Sequence, residues 1–383
     1  MSPAARPTTM AMVAGEASGD LLASLMMQGI QARWAATDFV GIGGPLMHQR
    51  GFDAWWPMHK LAVRGYVEVL RHYREIIGIR QQLLDRLLSS PPDLFIGVDA
   101  PDFNLDLSRQ LKSKGIKSIQ FVCPSIWAWR PHRVQKIRES VDHVLCLFPF
   151  EPDLLASHGI DATYVGHPLA QMIPNQVDKM AVRAQLKLGN EDLVLGVLPG
   201  SRLSEIEQMT VRFLDAARIL AKQHASLKVL LPMAPGTEDK IKELAKPYMH
   251  SLPLILLNGK SHDVLAAADV ALVASGTATL EAALFKCPMV IAYSMSWVSW
   301  QIMKRQRLQP WVGLPNILCS EFVVPELLQS DANPLALAGA VQSWLDQPQR
   351  MDLMRSKFQT MHDLLRKDTA TLSADAIQKV LAA

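Results

Sequence analysis

Residues Val270–Tyr293 read VALVASGTATLEAALFKCPMVIAY, and this stretch decides the fold. An apolar run, Val270 to Ala274, stops at Ser275-Gly276-Thr277, a helical pattern follows, and a second apolar run begins at Met289. Strand, small-residue turn, helix and strand in that order form the repeating unit of a parallel α/β sheet. Small residues in the turn let a backbone approach an anion closely, and the free N–H groups and positive dipole end of the next helix point at that anion. Glu281 lies one turn into the helix. Upstream, LVLGVLPGSRLSEIE (Leu193–Glu207) repeats the plan: a buried run ends at Pro199-Gly200-Ser201-Arg202 before another helix. Two such turns suit a diphosphate, and Arg202 adds a fixed, delocalised cation.

The same alternation continues outward. Apolar runs at Met10–Val13, Phe39–Ile42, Leu94–Val98, Ile119–Val122, Val144–Leu147 and Tyr164-Val165 predict one parallel sheet. Runs at Leu193–Leu198, Val229–Leu231, Ile255–Leu257, Val270–Ala274 and Met289–Ala292 predict a second. The pattern breaks near Gly166-His167-Pro168 and Pro174-Asn175-Gln176, which places a boundary near residue 172. The expected architecture is α/β: two Rossmann-like domains, 1–172 and 173–383, facing a central cleft. The last helices, about 351–383, are expected to pack back on the first domain.

Composition removes several function classes. Against 36 acidic residues stand 39 Lys and Arg, a formal +3, too little to argue for nucleic acid. The four cysteines show no metal-ligand spacing, so a reducing compartment and no metal are expected. The chain shows no secretory signal pattern and no apolar run long enough to span a bilayer, so a cytoplasmic location is expected. G-x-x-x-x-G-K-[ST] is absent, and Gly41-Ile42-Gly43-Gly44 does not complete a dinucleotide fingerprint. A sugar nucleotide is the remaining candidate ligand.

Chemistry-bearing residues cluster after strands. Asp99 comes directly off Leu94–Val98, where it is expected to face the cleft and take a proton from an attacking hydroxyl; a structural hydrogen bond is the plain alternative. Glu16, after the first strand, is a second candidate base. Asp102 follows Pro101 and is expected to cap the next helix. Glu281 is either an ordinary first-turn acid or an acceptor for ribose hydroxyls. Arg202 is a cation at a helix start, where the dipole disfavours it, and a diphosphate partner explains the placement. Two stretches mix apolar and basic residues: Leu61–Arg80, with Leu61, Val63, Tyr66, Val67, Val69 and Leu70, and Trp297–Trp311. Each suits either a core-facing helix or one lying in a membrane interface.

With these residues in place, the chain resembles the lipid-A-disaccharide synthase family. The resemblance rests on Gly15-Glu16-Ala17-Ser18-Gly19-Asp20, Asp99-Ala100-Pro101-Asp102-Phe103-Asn104 and Pro124-Ser125-Ile126-Trp127-Ala128-Trp129-Arg130, which are specific to that family. Pro199-Gly200-Ser201-Arg202 and the loop from Ser275 to Glu281 are shared more widely among GT-B glycosyltransferases. The match runs from about Met10 to Arg366. It implies a GT-B fold and an inverting, metal-independent transferase that joins UDP-2,3-diacylglucosamine to 2,3-diacylglucosamine 1-phosphate, with release of UDP. It implies Asp99 as base, with Glu16 beside it in the cleft, and a donor site of Gly200, Ser201, Arg202, Ser275, Gly276, Thr277, Glu281 and Asn316. Acylated substrates imply a phospholipid surface as partner, on the cytoplasmic face of the inner membrane, and a homodimer is compatible. Arg64 and Arg71 make the Leu61 segment more basic than the family's usual run, and Cys123 stands where Ser is common. A UDP-sugar 2-epimerase on the same plan is the rival reading, and a silent lipid- or nucleotide-binding protein is a third.

Overall fold

The computed structural model describes residues 9–61, 66–274 and 276–383. The chain forms two compact units, Met1–Gln171 together with Leu364–Ala383, and Met172–Asp363. Each is a parallel sheet covered by helices.

In the first unit the strands are β1 (Thr9–Ala14), β2 (Asp38–Gly43), β3 (Phe52–Pro57), β4 (Leu94–Val98), β5 (Ser118–Phe121), β6 (His143–Cys146) and β7 (Ala162–Tyr164), in the order β3-β2-β1-β4-β5-β6-β7. β1 shows why the central runs are apolar throughout. Met10 and Met12 enter one core layer with Met26, Ile30 and Phe39, whereas Ala11 and Val13 enter the opposite layer with Leu83, Phe95 and Leu107. Side chains alternate faces, and both faces are covered. The helix Thr369–Ala382 completes the first layer, with Ala376 and Ile377 buried in it.

The second unit has β8 (Leu193–Leu198), β9 (Leu227–Met233), β10 (Leu254–Asn258), β11 (Val270–Ala274), β12 (Met289–Tyr293) and β13 (Glu326–Leu328), in the order β10-β9-β8-β11-β12-β13. The edge strands β3 and β13 are absent from the sequence reading. In β3 only Phe52 is buried, and β13 is three half-buried residues, so neither presents the continuous apolar run of a central strand.

The C-terminal stretch, expected as one block on the first domain, divides. The helix Pro348–Leu365 stays with the second unit as far as Asp363, and Thr369–Ala382 lies against the helix Ala17–Arg33 of the first. Lys357 pairs with Glu321 and His362 with Lys286, contacts that tie the earlier helix to the second unit. Among the described residues no helix is long and apolar enough to cross a membrane.

Candidate functional site

The sheet order of the second unit places its two turns together. β8 and β11 are neighbours, in register from Val270↔Leu195 to Val273↔Leu198, so the turns that follow them leave adjacent strands at the same edge. From this pair the chain proceeds outward in opposite directions, to β9 and β10 and to β12 and β13. That is the switch point where open α/β sheets bind ligands, at the carboxyl ends of the strands.

Both turns contain a glycine that the backbone requires: Gly200 has φ +121° and Gly276 has φ +129°, values that a side chain resists. Gly200 opens the way into the helix Leu203–Ala221, whose start is Arg202 in extended conformation. The Arg202 guanidinium, half exposed, donates to Glu205 Oε1 at 3.1 Å. The other oxygen of Glu205 accepts the Ser201 N–H at 3.2 Å. Glu205 is buried and was missed by the sequence reading, although an acid three residues after a helix-start residue is the position that reaches back to helix-start amides. It places a carboxylate at the helix end where an anionic ligand is expected. Nearby, burial raises the Tyr293 phenol above its usual range, with Glu205 adding to the rise and Arg202 opposing it.

Ser275 lies outside the described residues. Gly276 and Thr277 are exposed, and Thr277 begins the helix Thr277–Leu284. The Thr279 hydroxyl donates to the Gly276 carbonyl at 2.8 Å and steadies the turn. Glu281 faces His262, with Nε2 and Oε1 3.9 Å apart, and the carboxylate raises the histidine above its ordinary value against the effect of burial. The His262 ring also tilts against Phe285 at 5.2 Å. His262 comes from the helix Ser261–Ala267, after β10, and a lone histidine gave no sequence signal.

Asn316 is fully buried and fully engaged. Its oxygen accepts from Val323 N and Val324 N at 2.8 and 2.9 Å, and its nitrogen donates to the Val324 carbonyl and Glu326 Oε1, both at 2.9 Å. Its four hydrogen-bonding positions are used within the fold, tying the Leu314–Cys319 helix to the segment 323–326, and that helix lies against Thr277–Leu284.

The first unit repeats the topology around β1 and β4, which are neighbours from Met10↔Leu94 to Ala14↔Val98. Glu16 begins the helix after β1, Asp99 follows β4, and both are half-buried. The turns touch: a Cβ on Gly15 would lie 3.1 Å from the Ala100 Cβ. Asp99 and Ala100 are both left-handed, with φ +51° and +41°.

Asp102 does not cap its helix. The helix begins at Pro101 with Ala100 at the cap, so Asp102 is already inside the first turn, where its carboxylate accepts from Arg133 at 2.5 Å. Proline at the first helical position moves the start one residue earlier than the Asp102 reading assumed. Asp20, from the first family motif, is buried and accepts from Gly44, Leu46 and Met47 N–H groups at 2.9–3.1 Å, holding the turn after β2. Trp127 donates to Glu151 Oε1 at 3.0 Å. Burial pushes Glu151 up to about 7 and the fully enclosed His167 down to about 4.

Of the first apolar-basic stretch, Val63 lies outside the described residues, as do the side chains of Tyr66, Val67, Val69 and Leu70, whose backbone begins the helix Tyr66–Ser89. Leu61 is half-buried and packs on the core layer that contains Ile79 and Leu83. In the second stretch Trp297 is 73% exposed and Leu308 52% exposed, with Lys304, Arg305 and Arg307 also at the surface.

A family model described as lipid-A-disaccharide synthetase matches residues 10–380. The chain is 58% identical over 376 residues to the lipid-A-disaccharide synthase of Albidiferax ferrireducens, covering 97% of each protein. It is 55% identical over 388 aligned positions to that of Verminephrobacter eiseniae, covering the whole of both. Among solved structures it is similar to Anabaena Alr3699/HepE in complex with UDP and glucose, with TM-score 0.57 and 15% identity, covering 98% of this chain and 100% of that one. It is also similar to the UDP-GlcNAc 2-epimerase of Neisseria meningitidis, with TM-score 0.62 and 10% identity, covering 98% and 99%. At such identities these structures carry the fold alone.

Proposed function

This chain belongs to the lipid-A-disaccharide synthase family, and on that premise we propose how its two units divide the reaction. The enzyme is a GT-B glycosyltransferase of lipid A biosynthesis. It transfers the sugar of UDP-2,3-diacylglucosamine to 2,3-diacylglucosamine 1-phosphate and releases UDP. The observation that carries the assignment of the donor is the adjacency of the Gly200 and Gly276 turns at the β8/β11 switch point.

The UDP diphosphate binds at those turns. Arg202 leaves Glu205 to meet the phosphate oxygens, and Glu205 remains on the Ser201 amide as the group that orients the turn. Glu281 accepts from the ribose, with His262 beside it. Asn316 shapes the loop at the flank of the Thr277 helix and does not itself reach the ligand, because its amide is already engaged. As the glycosidic bond to the diphosphate breaks, negative charge grows on UDP, and Arg202 with the helix-end amides stabilises it. These groups take the place of a metal ion. In the first unit, Asp99 removes the proton from the acceptor hydroxyl as its oxygen bonds to the anomeric carbon, and the configuration at that carbon inverts. Glu16, from the neighbouring turn, holds the acceptor. The substrates' acyl chains call for a lipid surface, and exposed Trp297 and Leu308 beside Lys304, Arg305 and Arg307 suit contact with anionic phospholipid.

Mass spectrometry of the products tests the reading. Supplied with UDP-2,3-diacylglucosamine and the monosaccharide phosphate, the enzyme should yield the tetraacyl disaccharide phosphate at the same rate with or without EDTA. Loss of the product with EDTA would overturn the metal-free assignment, and interconversion of the sugar in place of disaccharide formation would restore the epimerase.

A further inference from the structure

Two fully buried amides converge on the main chain of Asp99. Asn104 Nδ2 donates to the Asp99 carbonyl at 2.8 Å, with the Val13 and Val98 carbonyls at 3.3 and 3.4 Å. Gln120 Nε2 donates to the same Asp99 carbonyl at 3.0 Å and lies 3.3 and 3.4 Å from the Phe121 and Val122 carbonyls. The Asp99 N–H in turn donates to the Phe121 carbonyl at 2.9 Å. Asn104 comes from the helix after β4 and Gln120 from β5, so two separate elements grip one peptide group. Both amides pack over Gly97, where a Cβ would lie 2.7 Å from the Asn104 Cβ and 2.9 Å from Gln120 Oε1.

Two further features set this pair apart from ordinary core polarity. Among the described residues, Asn104 Oδ1 and Gln120 Oε1 are buried with no hydrogen-bond partner, an arrangement that apolar side chains would avoid altogether. The backbone they hold is strained: Asp99, Ala100 and Val122 all have positive φ, at +51°, +41° and +76°, the last in a β-branched residue. Strain of this kind persists only where the surroundings over-determine it.

We propose that Asn104 and Gln120 are positioning residues for glycosyl transfer: by clamping the Asp99–Ala100 peptide in its left-handed turn, they present the Asp99 carboxylate in one orientation. The proposal rests on Asp99 being the base. The expectation for Asn104→Ala and Gln120→Met in the full-length enzyme is a fall in kcat of about tenfold or more with both KM values within about twofold, since misplacement of a reacting group acts on the chemical step. Circular dichroism and an unchanged melting temperature certify that the first unit is folded, and UDP affinity by calorimetry, which reports the second unit, stays unchanged; should Asn104→Ala not fold, Gln120→Met decides.

The discriminating measurement is a double-mutant cycle read in single turnover by mass spectrometry. In the Asp99→Asn background, with no base left to orient, adding Gln120→Met should lower the residual rate no further. An equal loss in both backgrounds makes the amides merely structural and overturns the proposal. Unchanged kcat in both single variants, or a loss confined to KM, does the same. Full activity of Asp99→Asn itself would instead overturn the reading of Asp99 as base, so the two failures are distinguishable.

Discussion

The β1/β4 turns of the first unit and the β8/β11 turns of the second occupy the same place in the same topology, yet they are built from opposite materials. In the second unit the tight turns use Gly200 and Gly276, which reach positive φ without strain. In the first, Asp99 and Ala100 take left-handed conformations that side chains resist, and buried amides hold them there. Anion binding needs bare backbone; proton removal needs a side chain in a fixed place. On the proposed reading, the sheet supplies the same platform for both, and the choice of residue at the turn decides which chemistry results.

The widest separation between the two regions is expected in catalysis. Asp99→Asn should reduce kcat by about 10²–10⁴-fold, the usual worth of a positioned general base, with UDP affinity by calorimetry unaltered. A rate within a few fold of wild type would remove the distinction between the regions. Next comes Arg202→Ala, whose loss should raise the barrier by about 2.7–4 kcal/mol, by analogy with one oxyanion donor, and should weaken UDP binding as well. Steady-state kinetics paired with calorimetry would show whether both change together.

The backbone contrast is tested by exchanging residues. Gly276→Ala forces a side chain into a conformation that costs about 1–3 kcal/mol, visible as weaker UDP binding and a lower melting temperature. Ala100→Gly should alter stability by less than about 1 kcal/mol, because relief of the left-handed strain is offset by the greater freedom of glycine in the unfolded chain. Equal penalties from the two exchanges would mean that the turns do not differ as described.

The smallest effect concerns pH and belongs to the first unit. Glu151, raised to about 7, gives stability that is fully present below its unfolded value near 4.5 and is lost as pH climbs through 7. His167, lowered to about 4, gives the opposite trend: its contribution is present above 6.5 and is lost as pH falls through 4. The melting-temperature advantage of wild type over Glu151→Gln should therefore be larger at pH 5 than at pH 8. A difference that stays the same at the two pH values would show that Glu151 is already ionised at pH 5.

The central strands and both switch-point turns were legible because a strand buried on two faces must be apolar along its whole length. Edge strands β3 and β13, buried on little of their surface, carry no such signature. The placement of single side chains, as distinct from their roles, was legible only where local sequence decides it: Arg202 and Glu281 near helix starts, Glu16 and Asp99 soon after strands. Glu205 reaches back only three and four residues, to Arg202 and Ser201, a local signal passed over in the sequence, whereas His262 meets Glu281 through the fold, and the convergence of Asn104 and Gln120 on one carbonyl exists only because β5 pairs beside β4. Asp102 was misplaced by one residue of helix start, a shift that exchanged a cap for an ion pair with Arg133.

The first unit is closed by residues from the far end of the chain, with Ile377 and Ala376 filling the same layer as Met10 and Met12. On the ribosome, Met172–Asp363 is therefore fully synthesised before the N-terminal layer can be sealed, and the part made first is completed last. A premature stop just after Asp363 would consequently damage the first unit and leave the second whole.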